Sequence, residues 1–153
     1  MLVRLARDSG LRIATAESCT GGMVAAAITD IAGSSTMFEC GFVTYSNAAK
    51  IAMLGVQADT LARFGAVSPE VAREMANGAR HRAGVDLAVS ITGIAGPGGS
   101  GCKPEGRVCF ALAVQGRKTT SETIEFGAPG REKVRRAACA HALEMLAGAI
   151  SAG

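Results

Sequence analysis

The chain has 153 residues, 48% of them hydrophobic and 19% charged, which excludes a disordered tail or a highly charged coiled coil and suits one domain with a genuine core. Sixteen basic against thirteen acidic side chains leave a net charge of +3, too weak a bias to point to a nucleic-acid or membrane partner, so any anion site must be local. No apolar run approaches the roughly 20 residues that cross a bilayer, and the N-terminus lacks a signal-peptide core, so a cytoplasmic protein is expected.

Leu11 to Ala16 predicts a short buried strand, followed by turn and cap chemistry at Glu17-Ser18-Cys19-Thr20-Gly21-Gly22. A helix is predicted from about Gly21 to Ala32, its Met23, Val24, Ala27, Ile28 and Ile31 recurring at helical spacing and Gly33 closing it. Met37 to Tyr45, rich in β-branched and aromatic residues, reads as a second strand. Ser46 or Asn47 then caps a helix holding Lys50, Ile51, Met53 and Leu54. Another short helix precedes Phe64. Ser68-Pro69-Glu70 combines a capping hydroxyl, a proline at the first helical position and an acid facing the positive helix end, and predicts a helix to Ala83 stopped by Gly84. Val85 to Thr92 is nearly all apolar, as a strand buried on both faces requires. A loop of glycines and prolines runs from Gly93 to Gly106. Arg107 to Gln115 and Thr119 to Phe126 then form a hairpin turning at Gly116, and a last helix runs from about Arg131 to Ile150 on Val134, Ala138, His141, Met145 and Leu146. The expected fold is α/β, a three-layer α/β/α arrangement whose mixed central sheet ends in an antiparallel hairpin, with ligands favoured at the strand ends.

Five cysteines without a C-x-x-C pair and two histidines predict neither a metal site nor a disulfide framework. With no Trp and one Tyr, aromatic platforms for single-stranded nucleic acid are hard to assemble. Twenty glycines instead suggest several close backbone approaches. Ser18 stands between a buried strand and a helix beginning at Gly21 and Gly22, where a hydroxyl is exposed at the strand end and helix-start amides can hold an anion. A simple cap is the alternative for Ser18, as for Glu17 and Thr20. Tyr45 ends a strand and Lys50 follows about one helical turn after it. The positive helix start eases loss of a proton there, so Lys50 is a candidate base for a serine; the alternative is an exposed lysine beside a buried tyrosine. The loop from Thr92 and Gly93 to Gly101 contains Gly96-x-Gly98-x-x-Gly101 but lacks the helix of a dinucleotide fingerprint, and Ser100-x-x-Lys103 lies on a loop rather than a helix. It is either a flexible connection or a ligand cradle. Arg131, Lys133, Arg135 and Arg136 crowd a helix start that disfavours cations, which points to a phosphate or carboxylate partner. His81 and His141 read as surface and core residues.

Taken together, Thr15-Ala16-Glu17-Ser18-Cys19-Thr20-Gly21-Gly22, Gly41-Phe42-Val43-Thr44-Tyr45-Ser46-Asn47-x-x-Lys50, Gly65-Ala66-Val67-Ser68 and Thr92-Gly93-Ile94-Ala95-Gly96-Pro97 resemble the CinA C-terminal family over almost the whole chain. The family includes nicotinamide mononucleotide deamidases. The resemblance implies hydrolysis of that nucleotide's carboxamide without a metal or organic cofactor. It places Ser18, Tyr45 and Lys50 at catalytic positions. Glu17, Thr20, Gly21, Gly22, Asn47, Thr92 and Gly93 are expected around the substrate, and Arg131 or Arg135 near its phosphate. Helix-start amides would hold the oxyanion. A non-catalytic nucleotide-binding or regulatory module linked to competence or DNA damage is the alternative, and an amidase for another small carboxamide a third. The many alanines of the first and last helices suit pairing into a homodimer or higher homo-oligomer.

Overall fold

A computed structural model describes residues 1–153. Its strands are β1 (Ile13–Glu17), β2 (Phe38–Val43), β3 (Leu87–Gly93), β4 (Arg107–Val114) and β5 (Thr120–Glu125). They form one five-stranded sheet in the order β2-β1-β3-β4-β5. β1 is parallel to both β2 and β3, whereas β4 is antiparallel to β3 and β5 to β4. The helices are α1 (Leu2–Ser9), α2 (Met23–Thr29), α3 (Asn47–Leu54), α4 (Ala58–Phe64), α5 (Pro69–Ala83) and α6 (Arg131–Ala152). They cover both faces of the sheet, so the three-layer α/β architecture with its terminal hairpin is the one expected. No helix is long and apolar enough to cross a membrane.

Residue size alternates across the central strands, and this sorts the helices. Ile13, Leu87, Val89, Ile91, Val108 and Phe110 face one side and pack with Val3, Ala6, Val24, Ile28, Val134 and Leu146 of α1, α2 and α6. Ala14, Ala16, Ala88, Cys109, Ala111 and Ala113 face the other, against Val71, Ala72, Met75, Ala76 and Ala79 of α5. Small side chains on both surfaces let α5 lie close to the sheet, so that Ser90 Oγ donates to the Ala72 carbonyl at 2.6 Å. On its outer side α5 meets α3 just as tightly: a Cβ on Gly78 would stand 1.9 Å from the Leu54 carbonyl oxygen. From β1 the chain crosses by α2 on one face to β2, then returns by α3, α4 and α5 on the other face to β3. Chain direction therefore diverges on either side of β1, and a crevice opens beyond the carboxyl ends of β1 and β3.

Element boundaries differ from the sequence reading where side chains intervene. α1 was not foreseen: Met1 offers no capping side chain, and the helix is identifiable mainly from Val3 and Ala6 one turn apart and from Gly10 in the left-handed conformation at its end. α2 is shorter than Gly21 to Ala32. Gly21 (φ 60°) and Gly22 (φ 109°) precede it in left-handed conformations, and at its other end Thr29 Oγ1 bonds back to the Ala25 and Ala26 carbonyls. Ile31, expected in the core, is 52% exposed beyond that end. α5 follows its prediction from Pro69 to Ala83, with Ser68 Oγ accepting from the Val71 amide at 3.2 Å and Gly84 at its C-cap.

Candidate active site

Ser18 is the first residue beyond β1. Its amide donates to the Ile91 carbonyl at 2.9 Å, continuing the β1–β3 ladder by one residue, and its carbonyl accepts from the Gly21 amide at 3.0 Å. The turn is thus short and its hydroxyl is held at the carboxyl edge of the sheet. Next door, the Thr44 amide donates to the Glu17 carbonyl at 2.8 Å, extending β1–β2 pairing in the same way. α3 starts immediately after, with Ser46 Oγ accepting from the Ala49 amide at 3.0 Å. That cap turns Lys50 inward. Its Nζ lies 3.0 Å from Ser18 Oγ and 2.9 Å from the Thr44 carbonyl oxygen.

The ordinary expectation for these residue types is reversed. Lys50 is 1% exposed and Tyr45 is 62% exposed. Lys50 has no carboxylate within ion-pair reach, and burial pushes its pKa below 10.5, the nearby Cys19 opposing the shift. The cause is loss of hydration rather than the helix field invoked from sequence. Nζ donates to both the Ser18 hydroxyl oxygen and the Thr44 carbonyl, and the same distance to Ser18 lets an amine that has lost its proton accept from that hydroxyl. Burial also raises the Cys19 thiol to about 11, a hydrogen bond from its own backbone and the charges of Arg135 and Lys50 only partly offsetting it, so the sulfur beside Ser18 is a poor nucleophile at neutral pH.

A cavity of about 320 Å³ opens at this point. Of the residues singled out from sequence, Ser18, Tyr45, Asn47, Lys50, Thr92, Gly93 and Arg131 line it. Thr92 Oγ1 donates to the Ala66 carbonyl at 2.8 Å, tying β3 to the segment before α5. Arg131, at the start of α6, donates to the Gly96 carbonyl at 2.6 Å and to Tyr45 Oη at 2.8 Å. Tyr45 is thereby held by Arg131 rather than by Lys50. The glycine-rich loop lines the cavity from Ile94 to Gly98.

Five of the expected substrate contacts lie off the cavity: Glu17, Thr20, Gly21, Gly22 and Arg135. Glu17 is fully buried. Its Oε1 accepts from Thr20 Oγ1 at 2.7 Å, the Gly22 amide at 3.2 Å and the Val24 amide at 3.0 Å, and its Oε2 accepts from the Ala25 amide at 3.0 Å. An internal carboxylate thus occupies the start of α2, and those helix-start amides are not available for an oxyanion. Arg135 bonds the Cys19 and Thr20 carbonyls. Arg136 pairs with Glu132 at 2.7 Å. The cation cluster at the start of α6 therefore has largely internal partners. Sequence reasoning did not single out Cys19, Ala66 and Val67 as lining residues; all three belong to quoted motifs, and the Thr92–Ala66 contact ties the last two to the site. His141 packs 4.6 Å edge-on against Phe110 and bonds Glu122, away from the cavity lining. No group of His, Cys, Asp or Glu side chains is arranged to hold a metal ion.

The sequence profile of the CinA C-terminal domain matches residues 1–150. A putative competence-damage inducible protein of Symbiobacterium thermophilum is 51% identical over 152 residues, covering 94% of this chain and 35% of its own length. The chain thus spans about a third of that longer relative. The nicotinamide-nucleotide amidohydrolase PncC of Escherichia coli K12 is 57% identical over 139 residues, 90% of this chain and 83% of that protein. Among solved structures, a CinA superfamily protein from Klebsiella pneumoniae 700603 superposes with a TM-score of 0.94 at 36% identity, covering 99% of this chain and 94% of that one.

Proposed function

Since the chain belongs to the CinA C-terminal domain family, we propose that it hydrolyses the carboxamide of nicotinamide mononucleotide to nicotinic acid mononucleotide and ammonia, with Ser18 as nucleophile and Lys50 as its base. The observation that carries this reading is the 3.0 Å approach of Lys50 Nζ to Ser18 Oγ by an amine that is 1% exposed. Likeness to PncC of Escherichia coli, a nicotinamide-nucleotide amidohydrolase by name, supplies the substrate.

Ser18 Oγ attacks the carboxamide carbon while its proton passes to Lys50 Nζ. The resulting ammonium hands that proton to the amide nitrogen, the carbon–nitrogen bond breaks and ammonia leaves, with an ester on Ser18. Water then attacks the ester, Lys50 takes its proton and returns it to Ser18 Oγ as the acid departs. With the start of α2 occupied by Glu17, the amide of Cys19, which lines the cavity and donates to no other residue, is the donor left on this turn for the oxyanion. Arg131 and Tyr45, joined at the mouth of the cavity, are the groups for the phosphate end, so that binding at a distance positions the reacting carbon. Chains assemble as homodimers or higher homo-oligomers in this reading.

The test is ammonia release from nicotinamide mononucleotide by the purified protein, with Ser18→Ala abolishing it. Release undiminished in Ser18→Ala rejects the nucleophile. Calorimetric binding of the nucleotide without turnover would instead favour a regulatory module, and equal turnover of free nicotinamide would remove the phosphate assignment.

A further inference from the structure

We propose that Glu17 and Arg135 are positioning residues that hold the Ser18 turn between them, Glu17 by its N–H groups and Arg135 by its carbonyls, and that neither binds the substrate. The proposal rests on the reading of Ser18 as nucleophile and departs from the expectation that Arg135 meets a phosphate.

The two side chains grip complementary parts of one short segment. The Glu17 carboxylate gathers the Thr20 hydroxyl and the Gly22, Val24 and Ala25 amides. These are charge-assisted bonds at the positive end of a helix, the setting in which a buried carboxylate is best compensated. From α6, Arg135 Nε donates to the Cys19 carbonyl at 3.0 Å and Nη2 approaches the Thr20 carbonyl at 3.4 Å. The turn lies directly beneath the guanidinium, since a Cβ on Gly21 would be 3.3 Å from Nη2.

Peptide planarity converts this grip into orientation. In a trans peptide the C=O and the following N–H point in opposite directions. Holding the Thr20 carbonyl therefore directs the Gly21 amide away from Arg135, and that amide donates to the Ser18 carbonyl at 3.0 Å. Holding the Cys19 carbonyl likewise directs the Thr20 amide away from α6, and it donates to no other residue. The Cys19–Thr20 and Thr20–Gly21 peptide planes are thus fixed from outside the cavity, which neither Glu17 nor Arg135 lines. A phosphate reaching Arg135 would have to displace the bonds that shape the turn. Arg131, one helical turn earlier and on the cavity wall, bonds the Gly96 carbonyl and Tyr45 Oη instead, so a phosphate there leaves the Ser18 turn untouched.

The consequence is kinetic. Nucleophile and base must meet within hydrogen-bond distance, and a misplacement of about 1 Å costs on the order of 100-fold in rate. Steady-state kinetics on nicotinamide mononucleotide are measured for Arg135→Ala, Arg135→Lys and Glu17→Gln, with Arg136→Ala as the control. Arg135→Ala and Glu17→Gln are expected to lower kcat on the order of 100-fold while KM changes by less than about twofold. Arg135→Lys, able to reach one carbonyl, recovers part of kcat. Arg136→Ala, whose side chain pairs with Glu132 at the surface, leaves both constants unchanged. Independently of any nucleotide, labelling of Ser18 by a fluorophosphonate, followed by intact mass, slows in the same order. Slowed labelling without ammonia release in the wild type upholds the clamp and rejects the substrate assignment alone. A KM raised about tenfold or more at unchanged kcat in Arg135→Ala makes Arg135 a substrate ligand and overturns the proposal. Equal labelling rates in the wild type, Arg135→Lys and Glu17→Gln overturn it as well.

Discussion

Replacing Lys50 by Met separates the chemistry of the buried amine from its effect on folding. The substitution keeps an unbranched side chain but removes the group that lies 3.0 Å from Ser18 Oγ. Loss of a positioned base costs about 10²–10⁴ in rate, or roughly 3–5 kcal/mol of barrier. Stability responds differently. Burial depresses the folded-state pKa of Lys50 below 10.5, so between the two values the unfolded chain binds one proton more than the native one. Stability then rises with pH through that window, by at most about 1.4 kcal/mol per pH unit. Below the folded-state pKa both states are protonated and the contribution is flat. Lys50→Met lacks this titration. Urea unfolding as pH rises toward 10.5 should therefore show the wild type gaining on the variant, while the wild type's kcat climbs with the same inflection and the variant's does not. Parallel stability curves, or a kcat for Lys50→Met within tenfold of wild type, would refute an amine neutralised by burial and acting as the base.

Three further outcomes follow from other side chains of the molecule. At pH 8 iodoacetamide should modify the exposed Cys102 well before Cys19, whose thiol burial holds at about 11, and peptide mapping by mass would show the order; early labelling of Cys19 contradicts the assignment. Because the native state keeps that proton where the unfolded thiol, at 9.0, has lost it, Cys19→Ala should lose less stability than wild type between those pH values. Gly78→Ala should destabilise despite a better helix propensity worth about 1 kcal/mol, because its Cβ would meet the Leu54 carbonyl at 1.9 Å. Overpacking of about 1–3 kcal/mol lowers Tm by several degrees. Leu54 lies four residues after Lys50 on α3, so kcat should fall too; an unchanged Tm in scanning calorimetry contradicts the contact.

Local signals sufficed where a single element decides the outcome. The Ser68 cap, Pro69 and Gly84 delimit α5 because each acts on its own backbone. The strand order, and hence the crevice beyond β1 and β3, was legible only as the general rule that ligands meet mixed sheets at their strand ends. What remained hidden depends on distant partners. A lysine four residues into a helix looks solvent-exposed until the sheet places Thr44 and Ser18 around it. Arg135 looks like an anion ligand until its acceptors, carbonyls 115 and 116 positions away, are known. For Glu17 the chain left a substrate contact and a helix cap side by side, and only the folded positions of the Gly22, Val24 and Ala25 amides select the cap.

The antiparallel half of the sheet divides the molecule into two unequal ends. Val114 stands opposite Leu87, and Val108 opposite Gly93, so the bend at Gly116 lies at the rim remote from Ser18. Lengthening that bend, or attaching a tag or a further module there, leaves intact the three neighbouring strand tips that assemble the reactive groups. The far rim is free to vary in shape and surface while the near rim must keep its spacing from strand to strand.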